Sequence, residues 1–243
     1  MSRRVVVTGG AKGIGRAITE KFAALGDDVI ALGRDEAALN SLRNVATAVC
    51  DVTDEDAVTR TFSEIAHVDV LVNNAGIAES APLAKTSLTT WCRHFDVNVT
   101  GPFLCMRAVV PGMRERKDGA IITVASTAGR IGVPYTSAYT ASKHAAVGLT
   151  RAVASELAGS GVRVNAVCPT FVRTDLTTRA IARIVEATGR TEAESERALA
   201  NQSPLGRLLE PDEVADAVVF LASPAAHAIT GQALVIDGGG IQR

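Results

Sequence analysis

Thr8-Gly9-Gly10-Ala11-Lys12-Gly13-Ile14-Gly15 decides the reading of this chain. The stretch closes a short apolar run, Arg4 to Val7, and opens a segment of helical period that runs from about Gly15 to Leu25 and stops before Gly26. Gly9, Gly13 and Gly15 follow a G-x-x-x-G-x-G spacing, which differs from the G-x-G-x-x-G fingerprint but serves the same physics. Glycine permits a tight turn and lets backbone approach a pyrophosphate. The helix N-terminus that follows offers free N–H groups to an anion. A glycine-rich turn without a ligand is the plainer reading; its place in the first strand–helix turn favours nucleotide binding.

Working outward, strand-like runs recur at Asp28 to Leu32, Thr47 to Cys50, Val68 to Val72, Ala120 to Val124, Val162 to Val167 and Ala233 to Ile236. Most are rich in Val and Ile and lack polar alternation, the mark of strands buried on both faces of a parallel sheet. Helical segments separate them. One starts at Thr53, with Asp56 three residues on in a capping-box-like pattern. Others cover Thr100 to Arg114 and Ser137 to Leu157, and the last starts near Pro211, followed by Asp212 and Glu213. Strand–helix alternation predicts an α/β fold, a doubly wound seven-stranded parallel sheet of Rossmann type with right-handed crossovers. The expected organisation is one dinucleotide-binding catalytic domain over 1–243. The rhythm breaks at about 170–204, where two helix-like stretches divided by Gly189-Arg190 read as an inserted lid.

The second strand ends Ala31-Leu32-Gly33-Arg34. A carboxylate there would bind an adenosine ribose, as in NAD sites. Gly33 stands in its place, a cation follows, and Lys12 adds a second. Both could face a 2′-phosphate, so NADP(H) is favoured, with NAD(H) possible; the plain alternative is two solvated surface charges.

Tyr139 and Lys143 lie four apart in a helical segment and share a face. A phenol with a pKa near 10 is a poor base at neutral pH, and a nearby ammonium is expected to lower that value. Ser126 lies thirteen residues upstream, after the run Ile121 to Val124, at the carboxyl end of a strand where open α/β sheets place ligands. Its hydroxyl could bond a substrate oxygen. Taken singly, a loop-initiating serine and a packed helix tyrosine are equally good readings.

Together these residues resemble the short-chain dehydrogenase/reductase family over essentially the whole chain. The likeness rests on the glycine turn, Asp51-Val52, Asn73-Asn74-Ala75-Gly76, Asn98, Ser126, Tyr139, Lys143 and the run Pro169 to Thr174. The resemblance implies reversible hydride transfer between a nicotinamide cofactor and a ketone or secondary alcohol. Tyr139 would be the general acid or base, Ser126 would orient the carbonyl, and Lys143 would bind the nicotinamide ribose. Asn98 would support a water-mediated proton relay, or be a helix-kink residue, or both. Gly9, Lys12, Gly13, Ile14, Gly15 and Arg34 would meet the phosphates and ribose; Asp51 and Val52 would contact adenine. Asn74, Ala75 and Gly76 would wall the cofactor, and Pro169, Val172 and Thr174 would hold the carboxamide. Thr170 departs from the glycine usual after that proline and would narrow the floor of the site. A homotetramer is the assembly the family implies, with the segments Thr100 to Arg114, Ser137 onward and Ala233 to Ile236 at its interfaces.

For substrate, Pro169 to Thr174, the lid and Ser203-Pro204-Leu205-Gly206-Arg207 are similar to 3-oxoacyl-thioester reductases, hydroxyacyl-CoA dehydrogenases and polyketide ketoreductases. A CoA- or carrier-protein-bound 3-oxoacyl group is the leading class, with cyclic or aromatic ketones and alcohols as the alternative. Thr127, Val133, Tyr135 and Phe171 are the candidate substrate contacts. Ile181, Ile184 and Val185 fall on one helical face and could cover an acyl chain or form lid core. Arg179 and Arg183 could meet phosphates, although the mixed charge of 173–207 favours a solvated surface. A non-catalytic dinucleotide sensor is the competing class, disfavoured because a sensor needs no Ser126, Tyr139 and Lys143 together.

The bulk properties agree. A net charge of −1 and 4% aromatic residues argue against nucleic-acid binding. No apolar run approaches the roughly 18 residues that span a bilayer, and the start of the chain lacks a signal-peptide apolar region, so a cytoplasmic location is expected. Cys50, Cys92, Cys105 and Cys168 form no C-x-x-C pair and read as buried small apolar residues. His67, His94, His144 and His227 show no metal spacing.

Overall fold

The structure is a computed structural model and describes residues 2–242. Seven parallel strands form one sheet: β1 (Arg4–Thr8), β2 (Asp28–Gly33), β3 (Ala46–Val49), β4 (Val70–Asn73), β5 (Gly119–Val124), β6 (Val162–Pro169) and β7 (Ala233–Ile236). Their order is β3-β2-β1-β4-β5-β6-β7, so the chain winds outward from β1 in one direction and from β4 in the other. The switch point lies between β1 and β4, where open α/β sheets bind ligands beyond the strand ends. All seven strands read from the sequence are present, shifted by at most two residues at their ends.

The two-period of the strands fills both faces. Val5, Val7, Val70, Val72 and Ile122 point to one side, where they pack with Ile18 and Phe22 of α1 (Gly13–Ala24) and with Val214, Val218 and Leu221 of α9 (Pro211–Ala222). Val6, Leu71, Ile121 and Val164 point to the other, against Phe62 of α3 (Glu55–Ile65), Met113 of α5 (Gly101–Arg116) and Ala154 of α6 (Ser137–Glu156). Burial on both faces explains why β1, β4 and β5 read as unbroken apolar runs. It fails at the sheet edges, where Val49 of β3 and Leu234 of β7 are exposed. Cys92 is also exposed, contrary to its reading as buried; it lies on α4 (Leu88–Phe95), whose one fully buried side chain is His94.

One local expectation shifts. The helix expected from Thr53 begins one residue later: Asp54 is the cap, its carboxylate accepting from the Ala57 N–H, while the Thr53 hydroxyl is drawn to Asp51. Between α4 and α5 the chain passes through a π-helical turn, Asp96–Thr100, which buries Asn98. The segment expected as a lid contains α7 (Asp175–Thr188) and α8 (Glu192–Ala200), separated by Gly189 at φ +70°. Its root is stapled. Val172 and Leu209 form a parallel bridge, with the Arg173 N–H donating to Leu209 O and the Leu209 N–H to Phe171 O. The remaining short helix, α2 (Glu36–Asn40), is capped by Asp35. No helix among the described residues is long and apolar enough to cross a membrane.

Candidate functional site

A cavity of about 720 Å³ opens at the carboxyl ends of β1, β2, β4, β5 and β6. It runs from the glycine turn and Arg34, past Asp51, Val52 and Asn74 to Gly76, to Ser126, Tyr139 and Lys143, and ends under α7. Of the residues expected to touch a cofactor, every one but Gly15 lines it.

Gly15 acts from behind the wall. A Cβ there would overlap the Gly9 carbonyl oxygen and the Asn74 side chain, so this glycine lets α1 close on the turn. Asn74 clamps the same turn: its Nδ2 donates to Thr8 O and Gly9 O, at 3.0 and 3.1 Å. The backbone at Gly9 and Gly13 has φ of +63° and +50°, which favours glycine. Lys12, the residue before α1, makes no side-chain cap to that helix, whereas Asp35, Asp54, Ser87 and Thr191 cap theirs. The first N–H groups of α1 are thus left without a side-chain partner at a turn that lines the cavity, a site for an anion. This uncapped N-terminus, set in a glycine cradle, fits the pyrophosphate of a dinucleotide.

At the outer end the two expected cations are not solvated alone. Lys12 forms an ion pair with Asp35, and Arg34 Nη1 lies 3.4 Å from Asp51 Oδ2. The Lys12 hydrogen bond, ahead of the Ala38 N–H, holds the Asp35 carboxyl below its ordinary value. For Asp51 burial acts upward, but bonds from the Thr53 N–H and hydroxyl and the Arg34 charge prevail, and its value is lowered. Asp35 is a residue the sequence reading passed over; its place directly after Arg34 was the available signal.

At the inner end, Ser126 follows β5 and its oxygen accepts from the Ala128 N–H at 3.1 Å, which orients the hydroxyl. The Ser126 hydroxyl lies beside the Tyr139 phenol and favours its ionised form. Lys143, one helical turn after Tyr139, is 6% exposed and its Nζ donates to Val124 O at 2.9 Å, 5.8 Å from the Tyr139 ring centre. Burial depresses the Lys143 ammonium to about 8. Burial also raises the Tyr139 phenol, the Ser126 hydroxyl only partly opposing it. The expected depression of Tyr139 by Lys143 is thus absent from the protein alone: desolvation of the phenolate outweighs a cation that is itself desolvated and turned to a carbonyl.

Asn98 stands just outside the cavity wall. Its Oδ1 accepts from Ile77 N–H and its Nδ2 donates to Ile77 O and to Ser142 Oγ, at 2.9, 3.0 and 2.9 Å. A Cβ placed on Gly76 would lie 3.2 Å from Asn98 Oδ1 and 3.5 Å from Lys143 Nζ, so the amide and the ammonium flank one glycine.

Thr127, Val133 and Phe171 line the substrate end, together with Ile131, Thr136, Thr170, Leu176 and Gln202. Tyr135 does not. Its backbone is left-handed, φ +63°, and the residue is 69% exposed; its carbonyl accepts from the Ala81 N–H. Ile181, Ile184 and Val185 are also off the wall; α7 presents Leu176, Arg179, Ala180 and Arg183 instead. A missed support is His94, fully buried. Its Nδ1 donates to Thr90 O and its Nε2 accepts from the Glu79 N–H, fixing the neutral tautomer, and its ring meets Tyr139 edge-on at 6.4 Å. His94 lies four residues before Asn98, and that spacing was its only trace in the sequence.

Comparison with known proteins gives the family and the fold. Residues 9–240 match the family described as enoyl-(acyl carrier protein) reductase. The chain is 41% identical to galactitol 2-dehydrogenase (L-tagatose-forming) of Cereibacter sphaeroides, over 96% of this chain and 92% of that protein. It is 38% identical to the 3-oxoacyl-[acyl-carrier-protein] reductase FabG of Thermotoga maritima, over 96% of each. Among solved structures, a variant of actinorhodin polyketide ketoreductase with NADPH superposes with a TM-score of 0.94 at 33% identity, covering 98% of this chain and 97% of that one.

Proposed function

The chain belongs to the short-chain dehydrogenase/reductase family and is an NAD(P)-dependent oxidoreductase of alcohol and ketone groups, and from that premise we propose that it reduces 3-oxoacyl thioesters with NADPH. The observation that carries the reading is that one cavity joins an uncapped, glycine-cradled helix N-terminus to Ser126, Tyr139 and the buried Lys143. The thioester class draws on the FabG relative, and NADPH on the ketoreductase neighbour and on Lys12 and Arg34 at the outer end.

The roles follow from the side chains. The bound nicotinamide supplies the hydride. Ser126, oriented by the Ala128 N–H, holds the substrate carbonyl oxygen. Tyr139 keeps its proton at neutral pH because burial raises it, so its hydroxyl donates to the developing alkoxide oxygen. Lys143 holds a positive charge beside the phenol and the Gly76 turn, and meets the nicotinamide ribose. Gly9, Gly13 and Ile14 seat the pyrophosphate, Asp51 and Val52 the adenine, and Asn74, Ala75 and Gly76 the inner wall, while Pro169, Val172 and Thr174 hold the carboxamide. Asn98 works by bracing Ile77 against Ser142 of α6, and Gly15 by closing α1 on the turn. Thr127, Val133 and Phe171 contact substrate. Residues of about 170–204 act as a lid over that end. We place the enzyme in the cytoplasm as a homotetramer.

The deciding experiment is NADPH oxidation with acetoacetyl-CoA. Turnover that is lost in Tyr139→Phe supports the proposal; no turnover with NADPH still bound overturns the thioester class. In that case cyclic or aromatic ketones are the second reading, favoured by the apolar wall of Ile131, Val133, Phe171 and Leu176.

A further inference from the structure

The charges around the cavity are unequally settled. At the cofactor end each cation has a carboxylate: Lys12 has Asp35 and Arg34 has Asp51. Of the arginines in the lid, Arg173 is held by Glu196 and Glu210, and Arg207 by Glu213. Arg190 and Arg197 lie off the cavity, beside Glu194. The two that line the cavity, Arg179 and Arg183, are different. Arg179 makes no hydrogen bond or ion pair among the described residues, and Arg183 makes only a long bond, 3.4 Å, to the Ala78 carbonyl oxygen.

The carboxylates within sight do not answer them. Glu79, next to the Ala78 that Arg183 reaches, is taken by Arg93 at 3.3 Å. Asp237 accepts from the Gly239, Gly240 and Ile241 N–H groups. Asp175 sits in the first turn of α7, where the helix dipole favours a negative charge. Arg179 and Arg183 are four residues apart, so both guanidinium groups leave the helix on the side that carries Leu176 and Ala180. Ile181, Ile184 and Val185 of the same helix are off the wall. The lid therefore turns both arginines to the cavity, alongside Leu176, Ala180 and Asp175.

We propose that Arg179 and Arg183 form a subsite for an anionic group on the substrate, a carboxylate or phosphate remote from the carbonyl that is reduced. A guanidinium pair suits both, because each presents planar, forked donors to two oxygens. The subsite deepens the reading of the site as a ketone reductase and rests on it; the anion comes either from a carboxylate on a small ketone or from the phosphates of a thioester carrier.

Matched pairs test it. The ketones 4-oxocyclohexanecarboxylate and cyclohexanone differ by one carboxylate, and acetoacetyl-CoA and acetoacetyl-pantetheine differ by the nucleotide and its phosphates. KM is measured with NADPH for the wild type, R179Q, R183Q and the double variant. Binding of each member to NADP-loaded Tyr139→Phe protein, with and without the arginine changes, is followed by calorimetry. The expected result is that the double variant weakens the anionic member of at least one pair about tenfold, the equivalent of about 1.4 kcal/mol, and leaves its neutral partner within twofold. The pair that responds identifies the source of the anion. Equal weakening of neutral and anionic members, or no change in either, overturns the subsite. If no ketone turns over while calorimetry still shows arginine-dependent binding of an anionic member, the reductase reading falls and the subsite stands. Absence of anion binding to the Tyr139→Phe protein with both arginines intact overturns it.

Discussion

Asp35 holds Lys12 in an ion pair at the mouth of the glycine turn, so the cation best placed for a 2′-phosphate is already partnered by the carboxylate best placed for a ribose hydroxyl. The two side chains set opposite preferences for NADPH and NADH. Asp35→Asn is expected to lower the KM for NADPH severalfold and raise that for NADH, and Lys12→Ala to raise the KM for NADPH about tenfold while sparing NADH, in line with loss of one charge-assisted bond. Steady-state kinetics with both cofactors check this; an unchanged NADPH/NADH ratio in both variants refutes it.

Tyr139 governs the pH dependence. With its proton held by burial, reduction needs no prior ionisation and is expected to be level through neutral pH. Oxidation requires the phenol to lose that proton and is expected to climb toward alkaline pH. Profiles of kcat/KM in both directions from pH 6 to 10 read this directly, and Tyr139→Phe is expected to lower both by about a hundred- to ten-thousand-fold.

Lys143 makes the folded protein less stable than it would otherwise be. Its folded value of about 8 lies below the ordinary 10.5. Between those values the unfolded chain binds more protons, so stability rises with pH there; the penalty is fully present below about pH 8 and is relieved by about pH 10.5. Lys143→Met is therefore expected to abolish turnover yet stabilise the cofactor-free protein at pH 7 by about 1–3 kcal/mol, raising Tm by several degrees. Melting curves at pH 7 and pH 10 should show the gain shrinking at the higher pH.

Gly15 gives a structural prediction. Gly15→Ala drives a methyl into the Gly9 carbonyl and is expected to cost more than about 3 kcal/mol. Gly132→Ala, where an added Cβ meets nothing within 4 Å, is the control and is expected to change stability by less than about 0.5 kcal/mol. Denaturant unfolding of the two variants separates a packing role at Gly15 from a general intolerance of substitution.

What was legible in the sequence was whatever depends on near neighbours along the chain. The strand runs, the glycine turn and the four-residue spacing of Tyr139 and Lys143 each fix a local geometry, and the fold follows from their order. What was not legible depends on contacts between distant segments. Nothing near Lys143 in the sequence says that its ammonium turns to Val124 O, or that burial would raise Tyr139. Tyr135 was placed at the site by proximity to Tyr139, but a left-handed backbone turns it outward. On α7 the apolar periodicity was read correctly as a face; which way that face points is decided by packing, and it left Arg179 and Arg183 on the cavity.

The stapled root at Val172 and Leu209 has a consequence for how such a chain can change over generations. The segment from Arg173 to Leu208 leaves and rejoins the core beside that pair of bridged residues, with a further anchor where the Ser203 hydroxyl donates to Asp237 O, and closing a longer or shorter excursion over fixed ends alters the entropy only slowly. Strand register, the glycine turn and the proton-donating pair lie outside it. Beyond Thr174 the excursion is thus an exchangeable cartridge: a lineage can rewrite what the enzyme accepts by substitution or insertion there, while the inherited apparatus for moving a proton and the glycine seat of the dinucleotide pass on untouched.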